Sequence, residues 1–316
     1  MKYISEKVSA KLISHELAFK AVSDAFIEAA QSATTFPVVN AHGSHPQNRF
    51  SIKSAANSAV AGLKVGSYWP HNAQRGLPCH SSTILLIDQL SGQLGAVIQA
   101  SKVNAYRTAA ADAVAADQLA RKDAKVLAIF GTGHQASYEC RAIAKIRNLQ
   151  IVYVVGRDPE RAAAFTRALM ADGIDARVAS AQEACEAADI IVTATTATAP
   201  LFESQWVQAG THVASMGSDS EGKQELPVAL LENAELFCDL SSQSSRIGEF
   251  QHIKNLVAQG TKKLTMIGDV LLNNTVGRTS NSQITVFDSS GISLQDLSIG
   301  GYLLQKADAE QSLVLL

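Results

Sequence analysis

Two cations, a carboxylate and a glycine turn are the parts of this 316-residue chain that could do chemistry. Lys64 sits inside an apolar stretch, AGLKVGSY. An ammonium there must reach water or find an anion, because burying it unpaired is costly. Arg107 sits near the start of an alanine-rich stretch. The positive end of a helix dipole gives a cation nothing at that position. Binding of a substrate carboxylate would explain both residues; two solvent-facing cations with apolar stems explain them equally well. Asp219 lies in VASMGSDSEGKQEL, just after the apolar run 212–216. Open parallel sheets bind ligands outside the carboxyl ends of their strands. A carboxylate there could bind a substrate nitrogen or exchange a proton with it. On spacing alone a turn aspartate capping the next helix is the simpler account.

The glycine turn is IFGTGHQA at 129–136. Gly131 permits the turn, Gly133 lets a diphosphate approach the backbone, and Ala136 lets helix and strand pack closely. The helix start then offers free N–H groups and partial positive charge. The same letters fit a loop that binds nothing, but the next apolar run, 151–155, follows on schedule and ends in GRDPERA. NAD-binding units usually place an acid at this strand end to hold the ribose 2′-hydroxyl. Here the position is Gly156, followed by Arg157 and Asp158. A guanidinium pairs with a 2′-phosphate that a carboxylate would repel. The reading is NADPH as cofactor, with NADH possible. The alternative is a solvated Arg157 with Asp158 on the ribose. His134 is read as part of the loop rather than as a catalyst.

The elements that must position these residues follow from pattern. An amphipathic helix is expected over 13–33, a polar irregular stretch over 37–57 with NAHGSHPQN as a loop between short extended segments, strands over 62–68 and 82–88, and a hairpin joining 84–87 to 94–99. A long alanine-rich helix is expected over 101–120. Strand–helix alternation then begins, with strands over 126–130, 151–155, 176–178, 190–194, 212–216 and 236–239. This argues for an α/β fold with a Rossmann-type, doubly wound, mostly parallel sheet. A strand, glycine turn and long helix close the chain, and that helix is expected to pack back on the N-terminal segment. The domains expected are 1–121 with 293–316, a discontinuous α+β substrate and dimerisation domain, and 122–292, the dinucleotide-binding domain.

Hydrophobic residues make up 47% and charged residues 18%, which suits a globular enzyme with a sizeable core. The net charge of −2 suggests neither nucleic acid nor an anionic membrane surface as partner. Four scattered cysteines form no C-x-x-C pair, and eight histidines show no metal-ligand spacing, so no metal is expected. No apolar run is long enough to span a bilayer and no signal core opens the chain. The expected location is the cytoplasm.

Taken in order, GLKVG, RTAAADAVAADQLA, GTGHQA with GRDPERA, GSDSEGKQEL and the C-terminal TVFDSSGISLQDL resemble the ornithine cyclodeaminase/μ-crystallin family over nearly the whole chain. The resemblance implies a homodimer. It implies that Lys64 and Arg107 hold the substrate α-carboxylate and that Asp219 stands beside the reacting carbon and nitrogen. It implies a diphosphate loop of Gly131, Thr132, Gly133, His134, Gln135 and Ala136, with Arg157 and Asp158 at the adenosine ribose. Asp288, Ser289 and Ser290 would lie where the C-terminal turn approaches the nicotinamide, Ser289 being a cofactor contact.

Departures from the family select among its reactions. Ornithine cyclodeaminases carry a glutamate, in the strand before that of Lys64, for the distal amine; here the stretch reads RFSIKSA, without an acid. They also carry an aspartate where this chain has Gly156. The family's further arginine, around Val39, is missing, and Arg49 is the nearby substitute, out of register. The reaction expected is NAD(P)H-dependent reduction of a cyclic α-imino acid, Δ1-pyrroline-2-carboxylate or Δ1-piperideine-2-carboxylate. The alternatives are an ornithine cyclodeaminase, an alanine- or opine-type dehydrogenase, and a μ-crystallin-like binding protein without turnover.

Overall fold

A computed structural model describes residues 1–31 and 33–315. The chain divides into two compact units, 1–107 with 292–316 and 108–291. The first unit opens with β1 (Lys2–Ile4), α1 (Glu6–Leu12), α2 (His15–Gln31), β2 (Thr34–Thr35), β3 (Val39–His42), β4 (Arg49–Ala56), β5 (Ala61–Tyr68), β6 (His80–Ile87) and β7 (Leu94–Gln99). α3 (Ser101–Leu119) runs from this unit into the second. The second unit continues with β8 (Val126–Phe130), α4 (His134–Ile146), β9 (Ile151–Val155), α5 (Pro159–Ala171), β10 (Ala176–Val178), α6 (Ala181–Ala187), β11 (Ile190–Thr193) and β12 (His212–Ser215). It ends with α7 (Val228–Asn233), β13 (Glu235–Cys238), α8 (Ser241–Ile247), α9 (Lys254–Ala258), β14 (Leu264–Met266), α10 (Ile267–Leu271) and β15 (Thr285–Asp288). The chain returns to the first unit as α11 (Ser293–Ala309) and β16 (Val314–Leu315).

In the first unit the strands form one sheet in the order β16-β1-β7-β6-β5-β4-β2, with β3 also on β4. All its pairings are antiparallel except β1 with β7. The stretch 37–57, read from sequence as short extended segments around a loop, contains β3, which runs into the expected loop, and the eight-residue β4. Its polar residues hid the full length of the strand because most of β4 is only half-buried. α11 covers β4–β6 and is tied to α1 and α2: Ser298 donates to Ala21 O at 2.8 Å, and Lys306 to Leu12 O at 3.0 Å. Gly300 permits the close approach to the sheet, since a Cβ there would lie 3.2 Å from both Ile84 and Ile98.

The second unit carries an all-parallel sheet in the order β10-β9-β8-β11-β12-β15-β13-β14. Its central strands are buried, which suits the near-continuous Val, Ile, Leu and Ala runs. The sequence of strands reverses direction between β8 and β11. This is the switch point beside which such sheets bind ligands, at the strands' carboxyl ends.

Sequence placed the domain border after residue 121; the second unit begins at 108, inside α3. The reason is the burial of Ala109–Ala111, Ala113–Ala116 and Leu119, and the way α3 ends. Arg147 follows α4 and is 7% exposed. It donates to Ala116 O at 3.1 Å, Ala120 O at 3.3 Å and Arg121 O at 3.2 Å, and pairs with Asp117 at 2.8 Å. It thereby adds a charged donor to the carbonyls that end α3, of which Ala116 O and Arg121 O also accept from backbone N–H groups. Arg147→Ala should therefore cost about 3 kcal/mol, the typical penalty for stranding buried polar groups. A denaturant midpoint matching the parent protein would refute this.

Candidate active site

Within the first unit the two cations are buried together. Lys64 and Arg107 are each 6% exposed, and Asp296, in the first turn of α11, is 3% exposed. Lys64 lies on the covered face of β5, flanked by Gly62 and Gly66. A Cβ at Gly66 would meet Lys64 Cε at 3.5 Å, so the glycine leaves room beside the lysine stem. Asn104 and Arg107 are three apart on α3 and share a helix face. Lys64 Nζ donates to Asn104 Oδ1 at 2.8 Å, and Arg107 Nη1 to Gln295 Oε1 at 3.1 Å. Both cations approach one oxygen, Asp296 Oδ1: Lys64 Nζ at 3.5 Å and Arg107 Nε at 3.4 Å. Burial pulls the Lys64 amine down to about 8; Asp296 opposes this, while Arg107 and Lys53 add to it. Lys53 stands directly across from Lys64 in the β4–β5 register.

Arg49 is not in this cluster. It lies exposed at the start of β4, opposite Tyr68, about 13 Å along the strand from Lys53 at 3.3 Å per residue. Asn104, Gln295 and Asp296 were missed from sequence. A lone acid in the apolar stretch SLQDLSIGGYLL was the available signal, of the same kind that singled out Lys64.

In the second unit, Gly131 has a φ of +119°, and a Cβ there would lie 2.6 Å from Ala194 O. Gly133 begins α4, and a Cβ there would meet nothing within 4 Å. The first turn of α4 thus faces open space, which fits a diphosphate. Ala136 is fully buried, as its packing role requires. Gln135 donates to buried Glu139 at 2.7 Å. Burial pushes neighbouring Asp112 up to about 7, opposed by a hydrogen bond with Glu139. His134 is exposed and packs on Tyr138, ring centroids 4.9 Å apart.

Gly156 is where it is for a steric reason. A Cβ there would lie 2.7 Å from Thr132 Cγ2, so the side chain of the diphosphate loop fills the space an acid would need. Asp158 caps α5, accepting from Glu160 N at 3.0 Å and Arg161 N at 3.1 Å. Arg157 is exposed. These features fit a dinucleotide with a cation beside its adenosine ribose.

Asp219 lies in the segment after β12, exposed, with Lys223 Nζ at 2.6 Å. That segment is fixed by Glu225, which is fully buried. Glu225 accepts from Thr193 Oγ1 at 2.7 Å, Thr195 N and Oγ1 each at 2.7 Å, Ser215 Oγ at 3.0 Å and Gly217 N at 2.9 Å. Glu249 accepts from Leu226 N at 2.8 Å, and burial pushes it up to about 7. Burial also raises Asp288, which accepts from Ser244 Oγ and, at 2.9 Å, from Glu249 N. Ser289 is buried after β15, its N–H on Ser215 O at 3.1 Å, and Ser290 donates to Asp239 at 2.6 Å. Among the described residues no group of three or more His, Cys, Asp or Glu side chains could hold a metal ion, and no helix is long and apolar enough to cross a membrane.

The ornithine cyclodeaminase/mu-crystallin family pattern matches residues 2–311. The chain belongs to this family. It is 34% identical over 313 residues to the iminosuccinate reductase of Paracoccus denitrificans, covering 97% of each chain. The crystal structure of that enzyme in complex with NAD+ superposes with a TM-score of 0.92, covering 99% of this chain and 98% of the other. Thermococcus litoralis Δ1-pyrroline-2-carboxylate reductase, in complex with NADH and L-proline, superposes with a TM-score of 0.90 at 27% identity, covering both chains completely. An archaeal alanine dehydrogenase dimer with bound NAD gives 0.90 at 30% identity, covering 100% of this chain and 99% of the other. The Rossmann-type architecture expected from sequence is thus that of NAD-bound relatives.

The contact between Gly156 and Thr132 makes a testable point. Gly156→Ala should weaken dinucleotide binding about tenfold, because a tight Cβ contact forces the loop to shift. Thr132→Ser, which removes the methyl, should restore it. Titration of NADPH and NADH fluorescence measures both; unaltered affinity in Gly156→Ala would refute the steric account.

Proposed function

We propose that this family member reduces an α-imino acid to the amino acid, using a reduced nicotinamide dinucleotide. The observation that carries the reading is the pair of buried cations, Lys64 and Arg107, with only one carboxylate, Asp296, between them. Such a site retains positive charge, which suits a substrate carboxylate. Bound NADPH would supply the hydride. Lys64 and Arg107 hold the substrate anion and fix the orientation of its C=N carbon; well-aligned reactants lower a barrier by up to roughly 7–11 kcal/mol. Asp219, exposed after β12 and paired with Lys223, is the acid proposed to stabilise the protonated imine, a cation that accepts hydride at carbon. The nitrogen keeps its proton and becomes the amine, so charge and electrons balance. The exposed Arg157 and the absence of an acid at Gly156 support NADPH over NADH. A homodimer is proposed by analogy with the alanine dehydrogenase dimer.

The first substrates proposed are Δ1-pyrroline-2-carboxylate, giving L-proline, and Δ1-piperideine-2-carboxylate, giving L-pipecolate. The Thermococcus enzyme complex with L-proline supports this choice. β4 reads RFSIKSAA, without an acid for a distal amine, which counts against ornithine as substrate. Lys53 supports a second reading, iminosuccinate. It adds a third positive charge opposite Lys64, where a second substrate carboxylate would be welcome, and the Paracoccus relative acts on that compound by name.

Incubation with NADPH and each imino acid should consume the reduced-nicotinamide absorbance, faster than with NADH. No turnover of any of the three would overturn the function. Carboxylate binding needs the charged form of Lys64, which is kept below about 8 and lost as pH rises through that value. kcat/KM should therefore fall on the alkaline side near pH 8; a profile flat to pH 10 would exclude Lys64 from this role. Asp219→Ala should lower kcat by about two orders of magnitude, in line with loss of an acid–base group. NADPH affinity should stay the same, and unchanged turnover would remove the residue from the mechanism.

A further inference from the structure

We propose that Asp296 is a positioning residue that joins Lys64 and Arg107 into a single anion receptor. The ligand, a substrate carboxylate, rests on the function proposed above; the role of Asp296 rests on geometry within the first unit. Three elements converge: Lys64 from β5, Arg107 from α3 and Asp296 from α11. All three side chains are at least nine-tenths buried. One oxygen, Oδ1, serves both cations, at 3.5 and 3.4 Å.

A purely structural ion pair would be expected to close on itself. This one does not. Gln295 Nε2 is a buried donor without a hydrogen-bond partner, Arg107 Nε is a second that reaches Asp296 Oδ1 at ion-pair distance without a hydrogen bond, and Asp296 Oδ2 is a buried acceptor without one. Unsatisfied buried polar atoms are rare and costly, and here three adjoin a cluster that carries two cations for one acid. The two donors suit an arriving carboxylate. Asp296 keeps the cations within reach of the same anion and limits their mutual repulsion while the site is empty of substrate. Neutralising it fully would defeat the purpose, and a second acid would repel the ligand.

The charged groups acting on Lys64 are Asp296 on α11, Arg107 on α3 and Lys53 on β4. Asp296 is the one that favours the ammonium form. Removing its charge leaves burial and two like charges unopposed.

The test uses full-length Asp296→Asn. NMR of isotope-labelled lysine follows the Lys64 Cε shift against pH, with the signal assigned by its loss in Lys64→Arg. The midpoint should lie near 8 in the parent protein and drop to about 7 or below in the variant, since loss of a nearby opposite charge favours the neutral amine. The alkaline limb of kcat/KM should move the same way. KM for the imino acid should rise about tenfold or more, while NADPH affinity stays within about twofold of the parent's. Asp296→Glu should restore the Lys64 midpoint. An unmoved midpoint with an unmoved KM would overturn the proposal, as would equal losses in substrate and NADPH affinity. If Asp296→Asn fails to fold, Arg107→Met decides: the Lys64 midpoint should rise, because a like charge leaves and the carboxylate serves Lys64 alone. No rise would overturn the shared arrangement. A protein that reduces none of the imino acids would defeat the proposed function, yet the NMR titration would still judge Asp296.

Discussion

Sharing one buried carboxylate between two buried cations is the constraint on which the first unit depends. Two ammonium-type charges without a counter-charge would be too costly to bury, and two full ion pairs would leave nothing for a ligand. Asp296 sets the balance between those limits. Around that balance much of the first unit has a clear purpose. β5 presents Lys64 between glycines, the first turns of α3 present Asn104 and Arg107 on one face, and α11 must lie against β4–β6 to bring Gln295 and Asp296 to them. Gly300 is the packing condition for that last placement.

The second unit solves a different problem with carboxylates. Its strands end in backbone segments whose N–H and hydroxyl groups are gathered onto buried acids. Glu225 does this by accepting five hydrogen bonds from the ends of β11 and β12 and the residues just beyond them. Glu249, Asp288 and Asp239 extend the pattern to the segments after β13 and β15. Ionised carboxylates provide acceptors only, and backbone N–H and hydroxyl groups at strand ends need acceptors. Burial raises Glu249 and Asp288, which limits the negative charge such a cluster carries.

The parallel sheet was legible in the sequence because its signals are local: apolar runs at regular spacing, a glycine turn and helix caps. The strands 126–130, 151–155 and 176–178 agree in both bounds with the structure. β4 was legible as a short extended segment but not in its full length, because a strand covered on one face with small polar residues on the other lacks a clean alternation. Lys64 and Arg107 stood out as charges in apolar surroundings, and they do come together. Asp296 carries the same signal but lies far away in the chain, so sequence offered no reason to join it to them. Arg49 was chosen by proximity in sequence to a missing family residue; strand register puts it four residues along β4 from Lys53, opposite Tyr68. For Asp219 the position after β12 was legible, while its pairing with Lys223 four residues on depends on a local turn that spacing did not reveal.

The return of the chain to its first unit has a consequence for biosynthesis. β5 and the start of α3 leave the ribosome before the second unit, whereas α11 is made after all its strands. Throughout synthesis of the intervening parallel sheet, Lys64 and Arg107 have no acid to share and no helix to cover their side of β4–β6. The first unit therefore cannot reach its final packing by folding in order of emergence. It must wait, partly open, for α11, while the sheet encoded between has every strand it needs to finish first.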